Sequence, residues 1–157
     1  MAARAIPVTR EGLARLEAEL DQLRNQRRHE IADRIRQAKD LASSQNNPEY
    51  DDAKNEQAMV EGRILTLEKT IQSAYVIDED GARHSDNVRL GSLVTLLGPG
   101  ERSQEFTIVG ATEASPATGR ISNESPVGRA VLGRKVGEVV QVMAPAGVIK
   151  FTVVSIR

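Results

Sequence analysis

The chain has 157 residues, a net charge of −1 and no cysteine, which suits one or two small domains and excludes a disulfide framework or a thiolate metal site. Aromatic residues make up 3% with no tryptophan, so an aromatic-lined ligand pocket and a base-stacking platform are both poorly supplied, and the near-neutral charge argues against a nucleic-acid coat protein. No apolar run reaches the length of a membrane span and the segment MAARAIPVTR lacks the apolar core of a signal peptide, so a cytoplasmic protein with no membrane partner is expected.

Ile6-Pro7-Val8-Thr9 reads as extended, because a residue preceding proline avoids the α region. Thr9 then offers a hydroxyl as N-cap, with Glu11 in the positive first turn. The helix that follows carries an apolar seam through Leu13, Leu16, Leu20 and Leu23, meets Arg27, and resumes at Ile31, Ile35, Ala38 and Ala42. The two steps of four from Leu23 through Arg27 to Ile31 form a stutter, which locally unwinds a supercoil. Arg24, Arg27, Arg28, Arg34, Arg36 and Lys39 make this arm basic. Two readings stay open: a solvated face balanced by Glu17, Glu19, Glu30 and Asp33, or a basic track for RNA or another polyanionic surface.

The first helix is expected to end near Ala42 or Ser43, where Ser-Ser-Gln-Asn-Asn competes with the helical backbone for hydrogen bonds. A second helix opens with Asn47 as N-cap, Pro48 at the first position, and Glu49, Asp51 and Asp52 in the first turn. Its seam runs through Ala53, Gln57, Val60, Ile64, Leu67, Ile71 and Ala74. Few residues separate the two seams, so the helices must fold back and bury them against each other as an antiparallel coiled coil. Roughly thirty residues per arm make a rod on the order of 45 Å, with the turn at its tip. Asp40, Glu49, Asp51 and Asp52 crowd that tip, as complements of the helix dipole or as oxygen donors to a hard divalent cation.

Beyond Tyr75-Val76-Ile77-Asp78 the period changes from 3.6 to 2, so domains 1–78 and 79–157 are expected, with a hinge at Asp78 to Asp86 around Gly81. Strands are expected at Val88 to Leu97, Phe106 to Val109, Glu138 to Met143 and Val148 to Ile156. One short helix interrupts them: Ser125 caps it, Pro126 opens it and Gly133 stops it. The fold class is therefore α+β, a helical hairpin followed by a twisted antiparallel sheet. His29 and His84 lack ligand spacing and are expected at the surface.

Ile6-Pro7-Val8-Thr9, Arg28 with Glu30-Ile31, Asn47-Pro48-Glu49-Tyr50, Glu61-Gly62-Arg63-Ile64, Leu90-Gly91-Ser92, Ile108-Val109-Gly110 and Ile121 through Gly133 together resemble the bacterial Gre transcript-cleavage factors. The Ser-Pro-x-Gly-Arg-Ala-x-Leu-Gly segment is the most specific part. The resemblance implies an FK506-binding-protein-like C-terminal domain that docks on bacterial RNA polymerase, through Ser125, Pro126, Gly128 and Arg129. It also implies a coiled coil that reaches down the secondary channel and places Ser43, Ser44, Gln45, Asn46, Asn47, Glu49 and Tyr50 at the active centre. Cleaving members carry an acidic pair in Asp-Leu-Lys-Glu-Asn-Ala-Glu-Tyr that helps hold the polymerase's second Mg²⁺. Aligned on Asn47 and Tyr50, the Asp position is Ser43 and the Glu position is Asn46. Neutral hydroxyl and amide oxygens are poor substitutes for the carboxylates that hold Mg²⁺. The expectation is therefore a non-cleaving Gre-factor homologue: a monomeric, non-enzymatic regulator of elongation, pausing or initiation. It is expected to need no cofactor of its own, to contact the polymerase's active-site Mg²⁺ or another divalent cation through Asp40, Glu49, Asp51 or Asp52, and to meet nascent RNA only indirectly. The alternative is a cleavage factor using Asp40, Glu49, Asp51 and Asp52 from displaced positions; a coiled-coil chaperone or adaptor stands further off.

Overall fold

The computed structural model describes residues 4–41 and 47–157, which fall into two compact units: Leu13–Ala74, and Arg4–Gly12 together with Tyr75–Arg157. The N-terminal segment joins the second unit through a two-stranded ribbon of β1 (Ile6–Val8) and β2 (Ala74–Val76), continued by the Ile77 N–H donating to the Val8 carbonyl at 2.9 Å.

Thr9 caps α1 (Arg10–Gln22), its Oγ1 accepting from the Gly12 N–H at 2.9 Å. Five residues, Leu23–Arg27, then wind as a π-helix before α2 (Arg28–Leu41), and the Arg28 N–H reaches the Leu23 carbonyl five residues back. The site of this wider turn is where the apolar spacing stutters. Eight residues at about 100° each overshoot two turns by about 80°, so a uniform α-helix would carry Ile31 off the seam that holds Leu23. The π-turn winds less per residue and absorbs the excess. Ile31 ends only 1% exposed.

The return arm, α3 (Pro48–Ser73), presents Ile64 and Leu67 to Leu20, with Leu16, Leu23, Val60 and Ile71 packed around them. Farther along the seam the small side chains of Ala38 and Ala53 are buried. Each buried Leu or Ile contributes about 1.5–3 kcal/mol. Most helical stability in proteins comes from packing of an apolar face, so the pairing of the arms sustains them more than propensity does.

In the second unit, β3 (Leu93–Leu97), β4 (Ser103–Val109), β5 (Arg120–Ser122), β6 (Val139–Ala144) and β7 (Gly147–Ile156) form one sheet in the order β5-β4-β3-β7-β6. All neighbours are antiparallel except β4 and β5, which run parallel with Ile108 opposite Ile121. Alternation buries Val94, Leu96, Ile108, Val140 and Val153 on one face, where Val88 and Val131 complete the core. The first strand expected here starts five residues late. Gly91 takes φ 93° and the Arg89 N–H donates to the buried Ser92 Oγ at 3.0 Å, so Val88 to Ser92 form a turn. The stretch expected as a hinge contains α4 (Glu79–Arg83), capped by Asp78 through the Gly81 N–H at 2.9 Å and anchored by fully buried Ala82.

Candidate functional site at the hairpin tip

Of the residues expected at the tip, Ser43, Ser44, Gln45 and Asn46 lie outside the described residues, and Asn47, Glu49 and Tyr50 lie within them. Asn47 holds extended backbone (φ −106°, ψ 94°) and its Oδ1 accepts from the Tyr50 N–H at 3.2 Å. Its Nδ2 donates to the Ala38 carbonyl on the opposite arm at 2.8 Å. Tyr50 is half-buried, whereas Asp40, Glu49, Asp51 and Asp52 are all exposed.

The four acids do not converge. Among the described residues no group of three or more Asp, Glu or His side chains is placed to hold a metal ion. Two of them do share a face: Glu49 and Asp52 line a cleft of about 340 Å³ together with Arg34, Gln37 and Ala38. Their spacing of three puts them on one side of α3, and Asp51 on another. Neither carboxylate has an ion-pair partner among the described residues. The Arg34 guanidinium in the same cleft is engaged by Glu56.

Each arginine of the expected basic track meets a carboxylate. Arg24 pairs with Glu68, Arg27 with Glu30 and Glu56, Arg28 with Glu61, Arg34 with Glu56, and Arg36 with Asp33. The face is thus one of alternating charge, and most of the balancing carboxylates come from the opposite arm. The Arg27 guanidinium, helped by the Gln26 amide, holds the Glu30 carboxyl below its ordinary value of 4.5. Glu61 likewise raises the Arg28 guanidinium. Glu56, Glu61 and Glu68 are not among the balancing groups the sequence suggests, although a signal is there: they flank the seam positions Gln57, Val60 and Leu67, where coiled coils place cross-strand pairs.

In the expected docking segment, Ser125 caps α5 (Pro126–Val131), accepting from the Gly128 N–H at 3.1 Å and donating to the Ser122 carbonyl at 2.6 Å. Gly128 is buried so tightly that a Cβ there would stand 2.0 Å from the Ser122 carbonyl oxygen. Ser125 and Gly128 therefore build the turn, and Pro126 and Arg129 are the exposed members of the set.

The segment 6–76 matches the family described as "Transcription elongation factor, N-terminal", and 83–157 matches "Transcription elongation factor, GreA/GreB, C-term". Transcription elongation factor GreA of Alkaliphilus oremlandii is 49% identical over 157 residues, covering 99% of this chain and 98% of that protein. Transcription elongation factor GreA of Acetivibrio thermocellus is 48% identical over 153 residues, covering 97% and 96%. Among solved structures, GreA factor homolog 1 of Thermus thermophilus is 30% identical with a TM-score of 0.46, covering 98% and 99%.

Proposed function

The chain belongs to the GreA/GreB family of transcription elongation factors, and we propose that it works as a GreA-type factor, binding bacterial RNA polymerase and stimulating cleavage of the transcript in backtracked complexes. The observation that carries this reading is the near-full-length identity of 48–49% to proteins named GreA. The expectation of a non-cleaving homologue rested on Ser43 and Asn46 and is displaced as the leading reading. On this reading the chemistry belongs to the polymerase, and the chain acts on that enzyme as a monomer in the bacterial cytoplasm. The exposed Pro126 and Arg129 supply part of the docking surface, and the hairpin enters the secondary channel.

With neutral residues at 43 and 46, the acidic function falls to Glu49 and Asp52. Mg²⁺ is ordinarily held through one or two carboxylates plus waters, and these two open on one cleft without an ion-pair partner among the described residues. They would hold the polymerase's divalent cation, which supplies stabilisation of charge on the phosphate oxygens. No resident metal is needed. The test is RNA cleavage by backtracked complexes of the cognate polymerase. The wild type should accelerate it, Glu49→Gln with Asp52→Asn should abolish the effect, and Ser43→Asp with Asn46→Glu should add little.

A second reading is kept by the neutral side chains at 43 and 46: a channel-obstructing regulator that slows nucleotide addition without cleavage. It is favoured if the wild type leaves cleavage unchanged, nucleotide addition slows, and Ser43→Asp with Asn46→Glu creates cleavage activity.

A further inference from the structure

Resting on the functional reading above, we propose that Asn47 is a positioning residue, a clasp between the two arms that sets where the Glu49–Asp52 pair is presented. Both ends of its amide are committed. Oδ1 accepts from the Tyr50 N–H at 3.2 Å on α3, and Nδ2 donates to the Ala38 carbonyl at 2.8 Å on α2. Turning the amide over would set donor against donor and acceptor against acceptor, so a single orientation satisfies the site.

Capping alone does not require asparagine here. Asp and Ser cap helices about as well as Asn, and either would satisfy the Tyr50 N–H. Neither reaches across as a donor: a carboxylate would face the Ala38 carbonyl with a second acceptor, and a serine hydroxyl is too short to serve both sides. What Asn47 adds is therefore the link to α2. That link acts where α3 starts, two residues before Glu49 and five before Asp52, and Ala38 itself lines the cleft those carboxylates share. Without the clasp the first turn of α3 is free to shift against α2, carrying both carboxylates with it. A displacement of about 1 Å costs on the order of a hundredfold where reacting groups must be placed.

The test uses the full chain with Asn47→Ser and Asn47→Asp, both good caps, so that the start of α3 is preserved. Two readouts separate positioning from folding. The chain has no cysteine, so Lys39→Cys and Lys54→Cys can carry a selective pair of spin labels, one on each arm. In both Asn47 variants the inter-label distance distribution should broaden while helix content stays that of the wild type. In transcript cleavage, the effect at saturating protein should fall at least about tenfold, while the concentration giving half the effect changes less than about twofold. A wild-type distance distribution, or a wild-type effect at saturation, overturns the proposal. So does loss of helix content in parallel with activity in both variants, which would reduce Asn47 to a structural cap. A wild-type chain inert toward the polymerase would instead sink the functional reading, and the label distances would still judge the clasp.

Discussion

Arg28 and Glu61, 33 residues apart in sequence, face each other across the hairpin as a two-pronged ion pair, Nε to Oε1 at 2.8 Å and Nη2 to Oε2 at 2.9 Å. Farther from the tip the polarity reverses: Glu19 on the first arm receives Arg63 of the second at 2.7 and 2.9 Å. Apolar seams alone tolerate sliding by a heptad, whereas a sequence of charge pairs with changing polarity opposes like charges when the arms slip. These pairs therefore act on register more than on total stability.

The Glu19–Arg63 pair gives a direct check. Both side chains are more than a third exposed, so solvent screening limits the coupling to about 0.5 kcal/mol. Glu19→Arg or Arg63→Glu alone should lower the thermal midpoint, and the exchanged pair Glu19→Arg with Arg63→Glu should recover most of the loss in a double-mutant cycle. Additive losses in the double variant would show that the pair contributes nothing specific.

Acid should loosen the same face. The Arg63 guanidinium holds the Glu19 carboxyl below its ordinary 4.5, and Arg27, with Gln26, does the same for Glu30. A carboxyl depressed in the folded state binds its proton more readily when unfolded, so its stabilising contribution is fully present above about pH 4.5 and is lost as pH falls through the folded value. Thermal midpoints measured from pH 6 to pH 3 should fall more for the wild type than for Glu19→Gln with Glu30→Gln. The difference should shrink in high salt, which screens exposed pairs.

A further carboxylate works inside the sheet unit. Glu113 has a side chain only 5% exposed; it accepts from the Thr9 N–H at 2.7 Å, from the Thr9 hydroxyl, and from Arg120 Nη2 at 3.3 Å. Thr9 in turn caps α1. Glu113→Gln turns an amide donor toward groups that already donate, and should cost about 1–3 kcal/mol. Thr9→Val removes the cap and should cost about 0.5–2 kcal/mol. Urea denaturation should show the two losses to be less than additive, because they break one network.

The hairpin was legible because one pattern repeats along it: Leu13 to Ala38 and Ala53 to Ala74 each write a seam at helical spacing. Even the π-turn was announced by the two steps of four around Arg27, although spacing alone does not say whether a supercoil unwinds or the backbone widens. Charge partners were harder to read. Glu30 and Asp33 are close in sequence to their arginines and were named as balancing groups, while Glu56, Glu61 and Glu68 depend on how the arms align. In the sheet unit, Arg120-Ile121-Ser122 is too short to show alternation, so β5 and its parallel pairing with β4 were not foreseen. The stretch from Asp78 to Asp86 reads as a hinge because Gly81, inside what is a five-residue helix, outweighs the single capping side chain of Asp78. At the tip the acids were visible as a group. That Glu49 and Asp52 share a cleft follows from their spacing of three, and the link from Asn47 to Ala38 needed the opposite arm in place.

Gly128 separates packing from docking. It lies within a helix, where alanine is ordinarily preferred over glycine by about 1 kcal/mol. Here the added Cβ would meet the Ser122 carbonyl at 2.0 Å, and relief requires α5 to move off β5 or the Ser125 cap to open. Overpacking of this kind typically costs about 1–3 kcal/mol, which outweighs the gain in propensity, so Gly128→Ala should lower the urea midpoint of the chain. Arg129→Ala removes an exposed side chain next to it and should leave that midpoint within about 0.5 kcal/mol of wild type. If Arg129 serves docking, its loss should raise the concentration needed for half-maximal effect on the polymerase without changing the effect at saturation. An Arg129→Ala chain that unfolds as readily as Gly128→Ala would move Arg129 from the docking surface to the framework of α5.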